Sequence, residues 1–278
     1  MHERETAPIT RTRLIECLKD IAKEFRKLGG KKQPPAEIIL IGGAAVLTGY
    51  GFRELTYDVD AIIVAASTMK DAISRVSDKH GLPAGWLNAD FKRTASYSDK
   101  LFEVSVYYKT FSNVLTIRTI TAEYLLAMKL MSGRQYKNDL SDIVGILWEH
   151  QKKGEPITRE AVEKAVEYLY GKGAKIPEIS AQLLDAAFAS GDYGALYARV
   201  HDSEIVSREL LLEFDSKYPN TLKDDNIDAV LSTARQRHSG EQRESTLAKL
   251  EEKKRLADKK KRAADTPADM PSKDESEL

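Results

Sequence analysis

Residues 37–60 read EIILIGGAAVLTGYGFRELTYDVD, and the fold is decided in this stretch. Glu37 to Ile41 form a short apolar run, the pattern of a buried strand. Gly42 and Gly43 end it, and Ala44 to Leu47 predict a short helix. A strand that stops at two glycines lets a phosphate approach the backbone closely. The helix behind it offers free N–H groups and the positive end of its dipole. Residues 58–65 (DVDAIIVA) predict a second strand. Asp58 and Asp60 fall on one face of it, because side chains alternate along a strand. Two carboxylates on one face repel unless a proton or a cation lies between them. A divalent metal resolves that repulsion, and hard oxygen donors select Mg2+ or Mn2+.

Outward from this stretch, residues 11–28 carry Leu14, Ile15, Leu18, Ile21, Ala22 and Phe25 at helical spacing. Ser67 is a suitable N-cap for a helix to His80. Residues 101–108 and 113–118 predict two further strands around a Ser-Asn turn. If the first of these lies beside 58–65, Glu103 completes a three-acid cluster suited to phosphoryl or nucleotidyl transfer. Helices are expected at 121–132, 138–151, 158–170, 178–190, 192–217 and 225–237. The predicted class is α+β: a mixed sheet with flanking helices, then a helical C-terminal region and a charged tail. The expected boundaries are an α/β domain at 1–152, a helical domain at 153–240 and a tail at 241–278. In that tail, 244–262 has the composition of a solvated helix and the residues beyond Ala263 that of a disordered segment.

The chain has 278 residues with 43 Lys+Arg and 43 Asp+Glu, so its formal net charge is zero. The tail is itself balanced, so the zero does not conceal opposed halves. This excludes an indiscriminate polyanion binder but not a local basic site. In particular, the basic run Lys253 to Arg262 is matched by acids, which disfavours an RNA-binding scaffold. No apolar run reaches the length of a membrane span, and the N-terminal residues lack an apolar signal core, so a cytoplasmic protein is expected. The one cysteine, Cys17, forms no internal disulfide, and the five histidines show no ligand spacing.

The ordered combination of Ile41-Gly42-Gly43 with Arg53-Glu-Leu-Thr56-Tyr-Asp58-Val-Asp60 resembles the nucleotidyltransferase superfamily of polymerase-β-type fold. Within it, the chain is similar to bacterial nucleotidyltransferase-like proteins of unknown function related to the AbiEii toxins. Three further segments carry the likeness: Gly85-Trp86-Leu87-Asn88, Glu123 to Lys129, and Arg134 with Lys137 to Asp142. The chain departs at Ala89, where an aspartate usually stands, and Asp90 follows. The resemblance covers roughly residues 35–150.

It implies that Gly42 and Gly43 line the triphosphate and that Asp58 and Asp60 bind metal. Glu103 would be the third acid, and Lys129 would reach the nucleotide phosphates. Asp139 and Asp142 would contribute to the active site. Arg53 either pairs with Asp58 or Asp60 or reaches a phosphate, and Thr56 does either or packs.

The residues by themselves leave alternatives. Lys129 sits in an apolar helix and needs either solvent or an anion. Asp139 and Asp142 share a helix face; one of them suits an N-cap role, and Asp142 suits an ion pair with Lys129 or Arg134. The implied activity is metal-dependent transfer of a nucleoside monophosphate from an NTP to a hydroxyl of tRNA or protein. A toxin or phage-defence role with a cognate antitoxin follows from the same likeness. The alternative is a catalytically inactive protein of this fold that binds nucleotide or a protein partner.

Overall fold

The computed structural model describes residues 8–30 and 34–238. The expectations for 241–278 therefore lie outside the described residues. Strand β1 (Ile9–Thr10) leads into helix α1 (Arg11–Gly29). Thr10 caps α1 by accepting from the Arg13 amide, and Gly30 ends it at φ 67°. The buried face of α1 is Leu14, Cys17, Leu18, Ile21, Ala22 and Phe25, a helical repeat turned to one side. Next come β2 (Ala36–Leu40), α2 (Gly42–Gly49), β3 (Leu55–Thr56), β4 (Val59–Val64) and α3 (Thr68–His80). After β5 (Leu87–Asn88), short 3-10 turns at Asp90–Arg93 and Asp99–Leu101 precede the hairpin β6 (Ser105–Phe111) and β7 (Leu115–Ile120). The expected Ser-Asn turn is present, with Ser112 and Asn113 both at positive φ. Helices α4 (Ala122–Ser132), α5 (Asp139–Lys152), α6 (Arg159–Tyr170), α7 (Glu178–Ser190) and α8 (Tyr193–Lys217) follow, and residues 227–238 are helical.

The main sheet is mixed, in the order β5-β4-β2-β7-β6. β2 runs antiparallel to β4 and parallel to β7, while β5 is parallel to β4 and β6 antiparallel to β7. β2 is the central strand, and its side chains alternate between two cores. Ile38 and Leu40 join α1 and α3 on one face. Ile39, with Ile41 just beyond the strand, joins α4 to α7 and the start of α8 on the other. A strand buried on both faces reads as a continuous apolar run, as Glu37–Ile41 does after its first residue.

This second core spans the boundary expected at 152/153, since Val162, Leu169, Leu184 and Leu196 pack into the same cluster as Leu126 and Ile143. The compact units divide instead between Glu209 and Leu210, within α8. The physical reason is the burial of α4. Most of its circumference is apolar and enclosed, which requires α6 and α7 as well as the sheet. Among the described residues, no helix is long and apolar enough to cross a membrane.

Candidate functional site

The end of β2 and the start of β4 meet at one cleft. It is lined by Ile41, Gly42, Asp58, Asp60, Asp90, Phe91, Thr94, Ser96, Met128, Lys129, Ser132, Arg134 and Asp139. The cleft is open to solvent, and its empty volume including the mouth is about 680 Å³. The Ile41 amide donates to the Asp60 carbonyl at 3.1 Å, which sets the glycines beside the acid pair.

The two glycines are required for different reasons. Gly42 opens α2 at φ +53°, and a Cβ there would lie 3.5 Å from Asp60 Oδ2. Ile41, the N-cap of α2, makes no side-chain cap bond, so no N-cap side chain takes up the first amides of α2, and Gly42 lines the cleft at this end. Gly43 instead makes room behind the cleft. A Cβ on it would lie 2.9 Å from both Arg53 Nη2 and Thr56 Oγ1. Thr56 donates to the Asp58 carbonyl at 2.9 Å, and Arg53 Nε donates to the Leu55 carbonyl at 3.2 Å. Arg53 and Thr56 thus shape the chain just ahead of Asp58. Neither they nor Gly43 are among the lining residues.

Asp58 and Asp60 both line the cleft, as the alternation predicts. Burial, and then the charge of Asp58, push the Asp60 carboxyl up to about 6; Arg134 and Lys129 oppose this. A shift of this kind marks a carboxylate held close to a like charge without a full counter-charge.

Opposite the acids lies an ion network. Lys129 Nζ is 2.7 Å from Asp139 Oδ1 and 2.7 Å from Asp142 Oδ2. Arg53 Nη1 meets the same Asp142 oxygen at 2.5 Å. Arg134 Nε and Ser132 Oγ each donate to Asp139 Oδ2 at 2.7 Å. Lys129 is 5% exposed, so burial works against its charge, but Asp139 and Asp142 outweigh that and raise its pKa. Burial also opposes the Asp139 charge, and Lys129 and Arg134 hold that carboxyl well below the usual range. Lys129 is therefore a paired interior cation, and the anion it needs is supplied by the protein. Three cations face two carboxylates, which leaves one positive charge in excess. Arg134, 42% exposed at its side chain, is the most open of the five and lines the cleft.

Besides Gly43, Arg53 and Thr56, two further expected site residues, Glu103 and Asp142, are not among the lining residues. Glu103 does not line the cleft. It sits in a helical turn, its amide donating to the Lys100 carbonyl at 3.0 Å, and its Oε2 accepts from Tyr168 on α6 at 2.6 Å. The run 101–108 is split because Leu101 packs into the core from the 3-10 turn, so β6 begins only at Ser105. β6 is also a sheet edge, separated from β4 by β7 and β2, not adjacent to it. Asp142 is the second departure: it is not a lining residue and is enclosed by Lys129 and Arg53.

Asp90 also lines the cleft; it is 76% exposed, with Arg93 at 3.9 Å. It follows β5, whose Asn88 pairs in register with Asp60. The Asn88 Oδ1 accepts from the Asp90 amide at 2.8 Å and so fixes the turn. Thr94, Ser96, Ser132 and Arg134 also line the cleft, and no spacing rule points to them. Among the described residues, no group of three or more His, Cys, Asp or Glu is placed to hold a metal ion. Asp58 and Asp60 provide two hard-oxygen donors, so further ligands would come from substrate phosphates or water.

Residues 16–149 match the family model described as a nucleotidyltransferase of unknown function (DUF6036). This segment supports placement in the nucleotidyltransferase superfamily. It is just under half of the chain, and it holds every lining residue of the cleft. The mixed sheet with helices on both faces is consistent with a nucleotidyltransferase-like fold. No curated protein and no solved structure matches the chain.

Proposed function

We propose that the protein is a metal-dependent nucleotidyltransferase that moves a nucleoside monophosphate from an NTP to a hydroxyl. One observation carries the reading: the open N-terminus of α2 at Gly42, the Asp58/Asp60 pair and the Arg134 guanidinium face one cleft. The start of α2 at Gly42 and Arg134 hold the anionic triphosphate. Asp58 and Asp60 hold Mg2+ or Mn2+, which would supply charge neutralisation at the reacting phosphate when bound. Asp90, in place of Glu103, takes the proton of the acceptor hydroxyl. The acceptor oxygen bonds to the α-phosphorus, the bond to the β-phosphate oxygen breaks, and pyrophosphate leaves. Lys129, itself at the cleft wall, supports this site through Asp139. Acceptors on tRNA or protein, a toxin or phage-defence role and a cognate antitoxin rest on the AbiEii likeness alone.

A binding-only reading has one observation in its favour, namely that no third carboxylate joins Asp58 and Asp60 in a metal-holding group among the described residues. One experiment separates the two. The protein is incubated with each α-labelled NTP, Mg2+ and total RNA or lysate protein. Label transfer that disappears in Asp58→Ala supports the enzyme. NTP binding without transfer to any acceptor supports the binding protein, and absence of both removes the nucleotide reading.

A further inference from the structure

Glu204 and Arg208 lie one turn apart on α8, beyond the stretch that matches the family. Glu204 is 2% exposed. Its Oε1 accepts from the backbone amides of Leu140 at 2.9 Å and Ser141 at 3.3 Å. These are first-turn donors of α5, which an N-cap side chain would ordinarily satisfy. Asn138, the residue at that N-cap, makes no such bond. Its Oδ1 accepts instead from Arg208 Nη2 at 2.7 Å, and Arg208 Nε reaches the Tyr136 carbonyl at 3.4 Å. Two side chains of one helix thus grip the chain from Tyr136 to Ser141. That segment contains Asp139, with Arg134 just before it and Asp142 just after. Glu204 Oε2 is buried with no hydrogen-bond partner, an arrangement that calls for a reason.

We propose that Glu204 and Arg208 are positioning residues for the cleft, holding the first turn of α5 so that Asp139 aims the Arg134 guanidinium at the triphosphate. The proposal rests on the reading of the cleft as an NTP site. Removing the Glu204 carboxyl group orphans two buried amides and frees the turn that carries Asp139. The Asp139 oxygens then lose register with Arg134 Nε and Lys129 Nζ.

The test compares the full chain with Glu204→Ala, Glu204→Gln, Arg208→Ala and Arg208→Lys. Amide hydrogen exchange over residues 134–142 is measured together with the affinity for each of the four NTPs in Mg2+. In Glu204→Ala the Leu140 and Ser141 amides should exchange about tenfold faster, the effect of one lost buried hydrogen bond, with α1 and α3 unchanged. NTP affinity should fall by a similar factor. Glu204→Gln retains Oε1 and should restore both. Arg208→Ala should loosen the same segment, which keeps the test available if Glu204→Ala does not fold. Unchanged protection of 134–142 in both alanine variants overturns the proposal. So does faster exchange with wild-type NTP affinity in folded protein, because that describes a purely structural clamp. If the wild-type chain binds no NTP, the reading of the cleft fails, and the exchange data still decide whether α8 holds this segment.

Discussion

Lys129 Nζ and Asp139 Oδ1 stand 2.7 Å apart, and both side chains are almost wholly withdrawn from solvent. The pair belongs to a set of three cations and two carboxylates, so the two partners are not equivalent. Removing Lys129 leaves Arg134 with Asp139 and Arg53 with Asp142, a balanced set. Removing the Asp139 charge leaves three cations facing one carboxylate. Asp139→Asn should therefore destabilise by about 3–5 kcal/mol, the cost of a broken buried pair, and Lys129→Met by clearly less. Urea unfolding of both variants checks this, and equal losses would contradict the charge count.

Gly43 and Gly49, near the two ends of α2, offer a contrast within one helix. Gly43→Ala brings a Cβ against Arg53 and Thr56 and should cost about 1–3 kcal/mol, with weaker NTP binding as the chain before Asp58 shifts. At Gly49 a Cβ meets nothing within 4 Å and φ is not in the left-handed region. Gly49→Ala should be neutral or stabilise by about 0.4–1 kcal/mol. Thermal melts of the two variants give the comparison.

Asp60 gives a pH dependence with a definite sign. Its carboxyl is raised from 3.8 to about 6 in the folded chain. The folded state therefore binds the proton more tightly, and this contribution to stability is full below about 3.8. It is lost as pH rises through about 6. In metal-free protein, wild type should lose stability over that window relative to Asp60→Asn. Mg2+ competes with the same proton, so its affinity should climb as pH passes 6 and flatten above. A flat Mg2+ titration between pH 5 and 7 would contradict the assignment of Asp60.

Glu204 behaves alike at higher pH. Burial, with the Asp142 charge adding to it, pushes its carboxyl up to about 8, against the bonds from Ser141 and Leu140. The groups around it are Asp142 on α5 and Tyr197 on its own helix, with Arg208 one turn on. Its stabilising contribution is complete below about 4.5 and vanishes as pH rises through 8. Glu204→Gln cannot ionise, so its melting temperature should overtake wild type above pH 8. A constant difference across pH 6–9.5 would speak against a buried protonated Glu204.

Glu103 serves as an internal control for the cleft. Because it bonds Tyr168 away from the lining residues, Glu103→Gln should leave NTP binding and any label transfer at wild-type levels. Asp90→Asn should lower transfer while sparing NTP affinity. A large loss of activity in Glu103→Gln would restore it as the third acid.

The parts of this site that were readable in advance are those with local causes. Asp58 and Asp60 share a face because strands alternate, and that holds wherever the strand is placed. The glycines stop β2 whatever packs above them. Helices α4 to α8 begin and end within two residues of where their apolar periodicity stops, close to Gly133, Gly171 and Gly191 at three of the ends. The third acid failed for a nonlocal reason. Leu101 is drawn into the core from a helical turn, and strand order puts β7 and β2 between β6 and β4. Nothing in the letters LFEVSVYY encodes either fact.

The sequence alone thus determined the main helices, the central apolar strand and the acid pair, because these follow from periodicity and from the backbone freedom of glycine. Tertiary structure decided who neighbours whom. It gave Lys129 two aspartates as partners, left Arg134 as the open cation and placed Asp90, not Glu103, among the residues lining the cleft. It also brought Glu204, 64 residues from Leu140, onto the first turn of α5. The reason is physical: pairing of buried charges and capping of buried amides are settled by proximity in the packed state, and proximity across a mixed sheet is set by the whole core at once.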